Sequence, residues 1–103
     1  MKFLWFTMAD VAKTGEVAQA ADEVLASLPA GIKVLTQYAC LGIPFPQWPP
    51  NTVVAVSVVE AESAEALTAS TWPLELAGAT AWFVPVLELP VGGAAQVERK
   101  MRG

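Results

Sequence analysis

The sequence predicts an α+β fold of the ferredoxin-like kind, in which two helices lie on one face of a four-stranded antiparallel sheet. Three observations predict it. Four short runs rich in aromatic and β-branched residues read as strands. The stretches after the first and third runs change to helical spacing, giving the order β-α-β-β-α-β, the split βαβ arrangement. A proline, Pro85, falls inside the fourth run, and a proline within a sheet belongs on an edge strand. That topology places the first and third strands centrally and the second and fourth at the edges.

The elements follow in order. "KFLWFTM" (2–8) is a short, continuous apolar run and reads as a buried strand. In the next stretch Val17, Ala21, Val24, Leu25 and Leu28 recur at three- and four-residue spacing and form one helical stripe. Asp10 or Thr14 is suited to cap its start, and Pro29 and Gly31 end it. "IKVLTQYACL" (32–41) is the second strand and "TVVAVSVVE" (52–60) the third. "AESAEALTAST" (61–71) suits a short helix with Glu62 and Glu65 near its positive end. Pro73 is expected to break or restart that helix, and Gly78 to end it. "ATAWFVPVLEL" (79–89) is the fourth strand. Residues 1–90 are expected to form one domain, and 91–103 a flexible basic tail.

Patterning carries the reading from fold to assembly. Two helices cover one face of such a sheet, so the other face should alternate toward polar residues. In "VVAVSVV" (53–59) the only polar residue is Ser57, and "AWFVPVL" (81–87) has none. The open face measures roughly 19 by 20 Å, an apolar area of about 400 Å² in plan, near the upper end for a soluble monomer. Hydrophobic residues make up 54% of the 103-residue chain, which has little interior in which to hide them. Face-to-face packing with a second copy is the expected solution.

Charge and composition exclude several functions. The formal net charge is −4, and three of the six basic residues, Arg99, Lys100 and Arg102, fall in the last five positions. No basic face for nucleic acid is expected. Residues 34–59 carry no charge, but the proline cluster at their centre rules out a single membrane-spanning helix. The single cysteine, Cys40, forms no intrachain disulfide, and a cytoplasmic location is the simpler expectation. With no histidine in the chain, the commonest general base and metal ligand is missing. A His/Cys zinc site and a histidine-ligated haem are excluded, and no cofactor and no metal are expected.

Several residues remain as candidates for a ligand site. Trp5 and Thr7 share a face of the first strand, and Trp82 lies on the fourth; they are core packing, or the wall of an aromatic cavity if their faces point into a barrel. Tyr38 and Cys40 share a face of the second strand. Glu60, with Glu62 and Glu65, is an electrostatic feature of a strand end and helix start, or a carboxylate base or hard-cation site. The loop "LGIPFPQWPPN" (41–51) holds Pro44, Pro46, Pro49 and Pro50 around Phe45 and Trp48. Its ends must return to neighbouring strands, so residues 42–51 form a flap with a reach of roughly 12–15 Å. Proline lowers the cost of ordering it. Three roles are open to it: a lid over a ligand, a dimer clamp, or a tolerated insertion.

The opening "MKFLWFTM", "VVEAESAEAL" (58–67), Trp72 and "FVPVLEL" (83–89) together resemble a family of short bacterial domains of unknown function within the dimeric α/β-barrel superfamily. The resemblance implies two ferredoxin-like subunits packed sheet to sheet, and it carries over no catalytic residue. Loop 42–51 departs from it, since a shorter, glycine-rich connection is expected there. The superfamily includes cofactor-free monooxygenases, haem-degrading enzymes, isomerases and decarboxylases. The leading expectation is thus a homodimer that binds a small apolar or aromatic molecule. The alternatives are a cofactor-independent monooxygenase or isomerase, and a structural assembly module without ligand.

Overall fold

The computed structural model describes residues 1–103. The strands are β1 (Lys2–Asp10), β2 (Ile32–Ala39), β3 (Thr52–Ala61) and β4 (Thr80–Val86). The helices are α1 (Thr14–Ala26), α2 (Ala64–Leu76) and α3 (Ala94–Arg102). The sheet is antiparallel throughout with order β2-β3-β1-β4. This is the ferredoxin-like α+β fold, with the first and third strands central and Pro85 on an edge strand, opposite Phe3.

Local chemistry explains the boundaries. The Asp10 carboxylate accepts from the Ala12 amide at 2.9 Å and starts a 3₁₀ turn, Val11–Lys13, that leads into α1. Thr14 is the first residue of α1, its hydroxyl donating to the Val11 carbonyl rather than capping the helix. Ser63 caps α2 by accepting from the Ala66 amide. α2 runs through Pro73, where the sequence predicts a break. The missing N–H would have bonded the Ala69 carbonyl; both residues are exposed, so water serves the freed oxygen. α2 ends in a Schellman arrangement at Gly78, with Ala79 N–H on the Leu74 carbonyl and Gly78 N–H on the Glu75 carbonyl, both 3.0 Å. Gly78 takes a φ of +109° to do so.

The core lies between the helices and one sheet face. Phe3, Trp5 and Ala9 of β1, Val59 and Ala61 of β3, and Ile32 of β2 meet Val17 of α1 and Leu67 and Leu74 of α2. Leu67 and Val59 have no exposed surface. Phe3 and Phe83 meet edge to face across β1 and β4, with centroids 5.6 Å apart.

The C-terminal part of the chain differs from the sequence expectation in two respects. β4 ends at Val86, and Leu87 to Leu89 leave the sheet. The basic tail contains α3, which buries no residue. Its Val97 and Met101, at i, i+4, line an open space with Leu89.

Candidate functional site

Strand alternation assigns every sheet residue to a face. With Phe3, Trp5 and Ala9 in the helix-side core, Leu4, Phe6 and Met8 fall on the opposite, open face. Register carries this across the sheet: Phe6 pairs with Trp82 on one side and Val56 on the other, and Val56 pairs with Tyr38. One cross-strand row, Trp82–Phe6–Val56–Tyr38, therefore crosses the open face.

The flap folds down onto this row. Phe45 stands 5.8 Å from Phe6, centroid to centroid, and 5.3 Å from Trp48. Trp48 stacks on Trp82 at 5.4 Å and 26°, and Trp82 stacks on Phe6 at 5.2 Å and 12°. Four rings thus form one half-buried cluster, two from the sheet and two from the flap. Such contacts add roughly 0.5–1.5 kcal/mol per pair beyond area burial. The flap is held at its return end as well. Thr52 Oγ1 donates to the Pro49 carbonyl at 2.8 Å, and the Asn51 carbonyl accepts from the Val11 amide at 2.7 Å. Asn51 has a φ of +62°, a left-handed conformation that asparagine tolerates better than most residues. Val54, on the open face where the flap returns, is buried.

The residues singled out from the sequence divide between the two faces. Trp82, Tyr38 and Cys40 lie on the open face, and Phe45 and Trp48 cover its Trp82 end. Tyr38 and Cys40 reach that face through a bulge between Val34 and Thr36, which shifts the alternation of β2 by one residue. Tyr38 is 58% exposed, so its phenol is open to solvent. Glu60 shares the face but pairs with Lys2 and Lys33. That row is four residues along β1 from Phe6, about 13 Å away. Glu60, Glu62 and Glu65 are exposed and form no three-ligand metal group. Trp5 and Thr7 lie on the helix side, so one cavity does not gather them with Trp82. They line instead a space of about 30 Å³ beneath α1.

Sequence reasoning missed Phe6, the ring on which Trp82 stacks. The signal was present: β1 carries aromatics at consecutive positions, Trp5 and Phe6, so one of them must face away from the core. Close to Glu60, Lys2 pairs with Glu88 just beyond β4. The hydrogen bond and the charge of Glu88 raise the Lys2 ammonium above its ordinary value, and the same contacts lower the Glu88 carboxyl.

The fold and this face define a ferredoxin-like α+β protein with one sheet face open and an aromatic flap over part of it. Among solved structures, an uncharacterised protein from Thermotoga maritima is similar over 84% of this chain and 96% of its own, at 13% identity and a TM-score of 0.56. A DUF3240 family protein from Shewanella baltica has 12% identity over 86% of this chain and 93% of its own, with a TM-score of 0.41. CutA1 from a psychrotrophic Shewanella has 13% identity over 95% and 92%, with a TM-score of 0.43. The first of these likenesses shows the fold. No protein-family model and no curated protein matches the chain.

Proposed function

We propose that the chain is a homodimeric binding protein of the dimeric α/β-barrel kind, taking a flat apolar or aromatic molecule beneath its proline-stiffened flap. The observation that carries this reading is the half-buried cluster of Phe6, Phe45, Trp48 and Trp82 on an apolar sheet face. Trp48 and Trp82 stack directly, so a flat ligand enters between them: the flap lifts as a lid and closes with Trp48 and Phe45 on the ligand's outer face. Tyr38, at the far end of the same row, offers a phenolic hydrogen bond to a ligand's polar edge. Binding is favoured over turnover because no carboxylate adjoins the cluster and the chain has no histidine.

Residues 1–90 act in this reading as the folded unit and the basic residues 91–103 as its appendage. The partner is a second copy. The chain has an accessible surface of 6908 Å², whereas a compact monomer of 10.9 kDa has about 5,600 Å². The surplus, about 1,300 Å², exceeds what one partner buries in a standard interface, about 800 Å². No helix is long and apolar enough to cross a membrane.

The test is a titration with 1-anilinonaphthalene-8-sulfonate, read by quenching of tryptophan emission. Saturable quenching is expected, with affinity at least tenfold weaker in Phe45→Ala/Trp48→Ala and the sedimentation behaviour unchanged. Quenching that does not saturate, or equal affinity in the double variant, would overturn the binding reading.

A further inference from the structure

We infer that the layer between the helices and the sheet holds a second site, for a small neutral molecule that presents an oxygen acceptor. On the helix side, Trp5, Ser57 and Gln37 form one cross-strand row over β1, β3 and β2. Thr7 is the next residue of β1 on that face. All four line the cavity of about 30 Å³, together with Ala21, Val24 and Leu25 of α1 and Leu74 of α2.

Trp5 is 5% exposed, and its Nε1–H is the one buried side-chain polar atom without a partner. Native proteins leave few buried donors in that condition. An indole N–H only donates, so what meets it must accept. Ser57, Thr7 and Gln37 make no side-chain hydrogen bond within the protein. Their hydroxyls and amide are free to hold the same ligand. No ionisable residue lines the cavity, and an anion would enter it without a countercharge, which is unfavourable. Its volume is enough to hold a water molecule. The acceptor is therefore water, or the oxygen of a small amide, ketone or alcohol whose remainder extends toward Gln37, the exposed member of the set. This site lies on the opposite sheet face from the flap and does not depend on it.

The experiment follows the Trp5 indole N–H in nitrogen-15 correlation spectra of the full chain, assigned by its loss in Trp5→Phe. Acetamide is the neutral probe and acetate the charged one. A cross-relaxation peak to water is expected without probe. Acetamide should shift the Trp5 signal saturably, leaving the indoles of Trp48, Trp72 and Trp82 in place, and acetate should not. Ser57→Ala should weaken acetamide roughly three- to tenfold with the backbone spectrum preserved. Gln37→Met, at the exposed mouth, serves if the serine variant fails to fold. A water peak with no response to acetamide supports the site with water as its ligand. Absence of both, or an equal response to acetate, overturns the inference.

Discussion

Leu67 and Val59 have no exposed surface and join α2 to β3. Leu67→Ala removes buried methyl groups where the helix and sheet cannot fully close the gap. It should destabilise the fold by about 2–5 kcal/mol, read as a lower urea midpoint at unchanged slope. Gly78 tests a different cause. A Cβ there would meet only the flexible side chain of Lys13, at 3.6 Å or more, yet φ is +109°. Gly78→Ala should therefore destabilise by about 1 kcal/mol or more through backbone strain alone, and an unchanged midpoint would contradict the helix ending described above. The Lys2–Glu88 pair predicts a pH dependence. The lowered carboxyl stabilises the fold above its ordinary value of 4.5, and that contribution is lost as pH falls through the lower folded value. The raised ammonium contributes fully below 10.5 and loses its contribution as pH rises through the higher folded value. Both groups are exposed, so salt should weaken the effect. Glu88→Gln should flatten the acid limb of a stability–pH curve by lowering its neutral plateau slightly, leaving stability well below the folded carboxyl value unmoved.

Among the elements, the flap and α2 depart furthest from ordinary patterning. Ordering a flexible segment costs about 1–2 kcal/mol per residue, and prolines reduce this by restricting the unfolded chain. Two aromatic rings anchor the flap on the sheet, and the turn at Pro49–Thr52 fixes one end. Phe45→Ala/Trp48→Ala should release the flap while the sheet persists. Limited proteolysis should then cut within 42–51 several times faster than in the native chain, with the far-ultraviolet spectrum retained. Equal cleavage rates would mean that the rings do not anchor the flap. α2 buries Leu67, Ser70, Thr71 and Leu74 but leaves Trp72 59% and Leu76 89% exposed. Its apolar and polar residues are mixed around the helix rather than divided between two faces, unlike a helix with one solvated face.

The whole molecule is thin for its breadth. Its extents are 47 × 35 × 18 Å, and its radius of gyration is 15.4 Å, against about 13 Å for a compact chain of this size. Eighteen ångströms accommodates one sheet and one layer of helices, since packed layers lie about 10 Å apart. The flap is a partial third layer at the Trp82 end, and the row Val84–Leu4–Val58–Thr36 lies beyond it. Val84, on the edge strand, is 42% exposed, so Val84→Asp should be nearly neutral in an isolated subunit, within about 0.5 kcal/mol. In a sheet-to-sheet dimer it buries an unpaired charge. Sedimentation at micromolar concentration should show about twice the 10.9 kDa chain mass for the native protein and the single mass for Val84→Asp. A native monomer, or a variant dimer of native affinity, would exclude this interface.

The sequence by itself determined the order of elements, the central and edge strands and the surplus of apolar surface. Each of these follows from local periodicity, from the restrictions on proline and from composition. It also placed the two aromatic anchors on the flap, because large apolar rings on a proline-restrained loop need a surface to cover. What that surface is depends on register, which couples residues far apart in the chain. Phe6 lies beneath the flap because it pairs with Trp82, and Trp5, one residue earlier, is thereby sent to the other face. The bulge between Val34 and Thr36 puts Tyr38 and Cys40 on the open face, and no periodicity in β2 announces it. Likewise Trp5 shares a cavity with Ser57 and Gln37 only because three strands align there. Pro73 reads as a helix breaker in isolation, yet packing of Leu74 into the core carries α2 one turn past it. Tertiary structure decides these points because side-chain direction alternates residue by residue, so a one-residue change in pairing exchanges the two faces of the sheet.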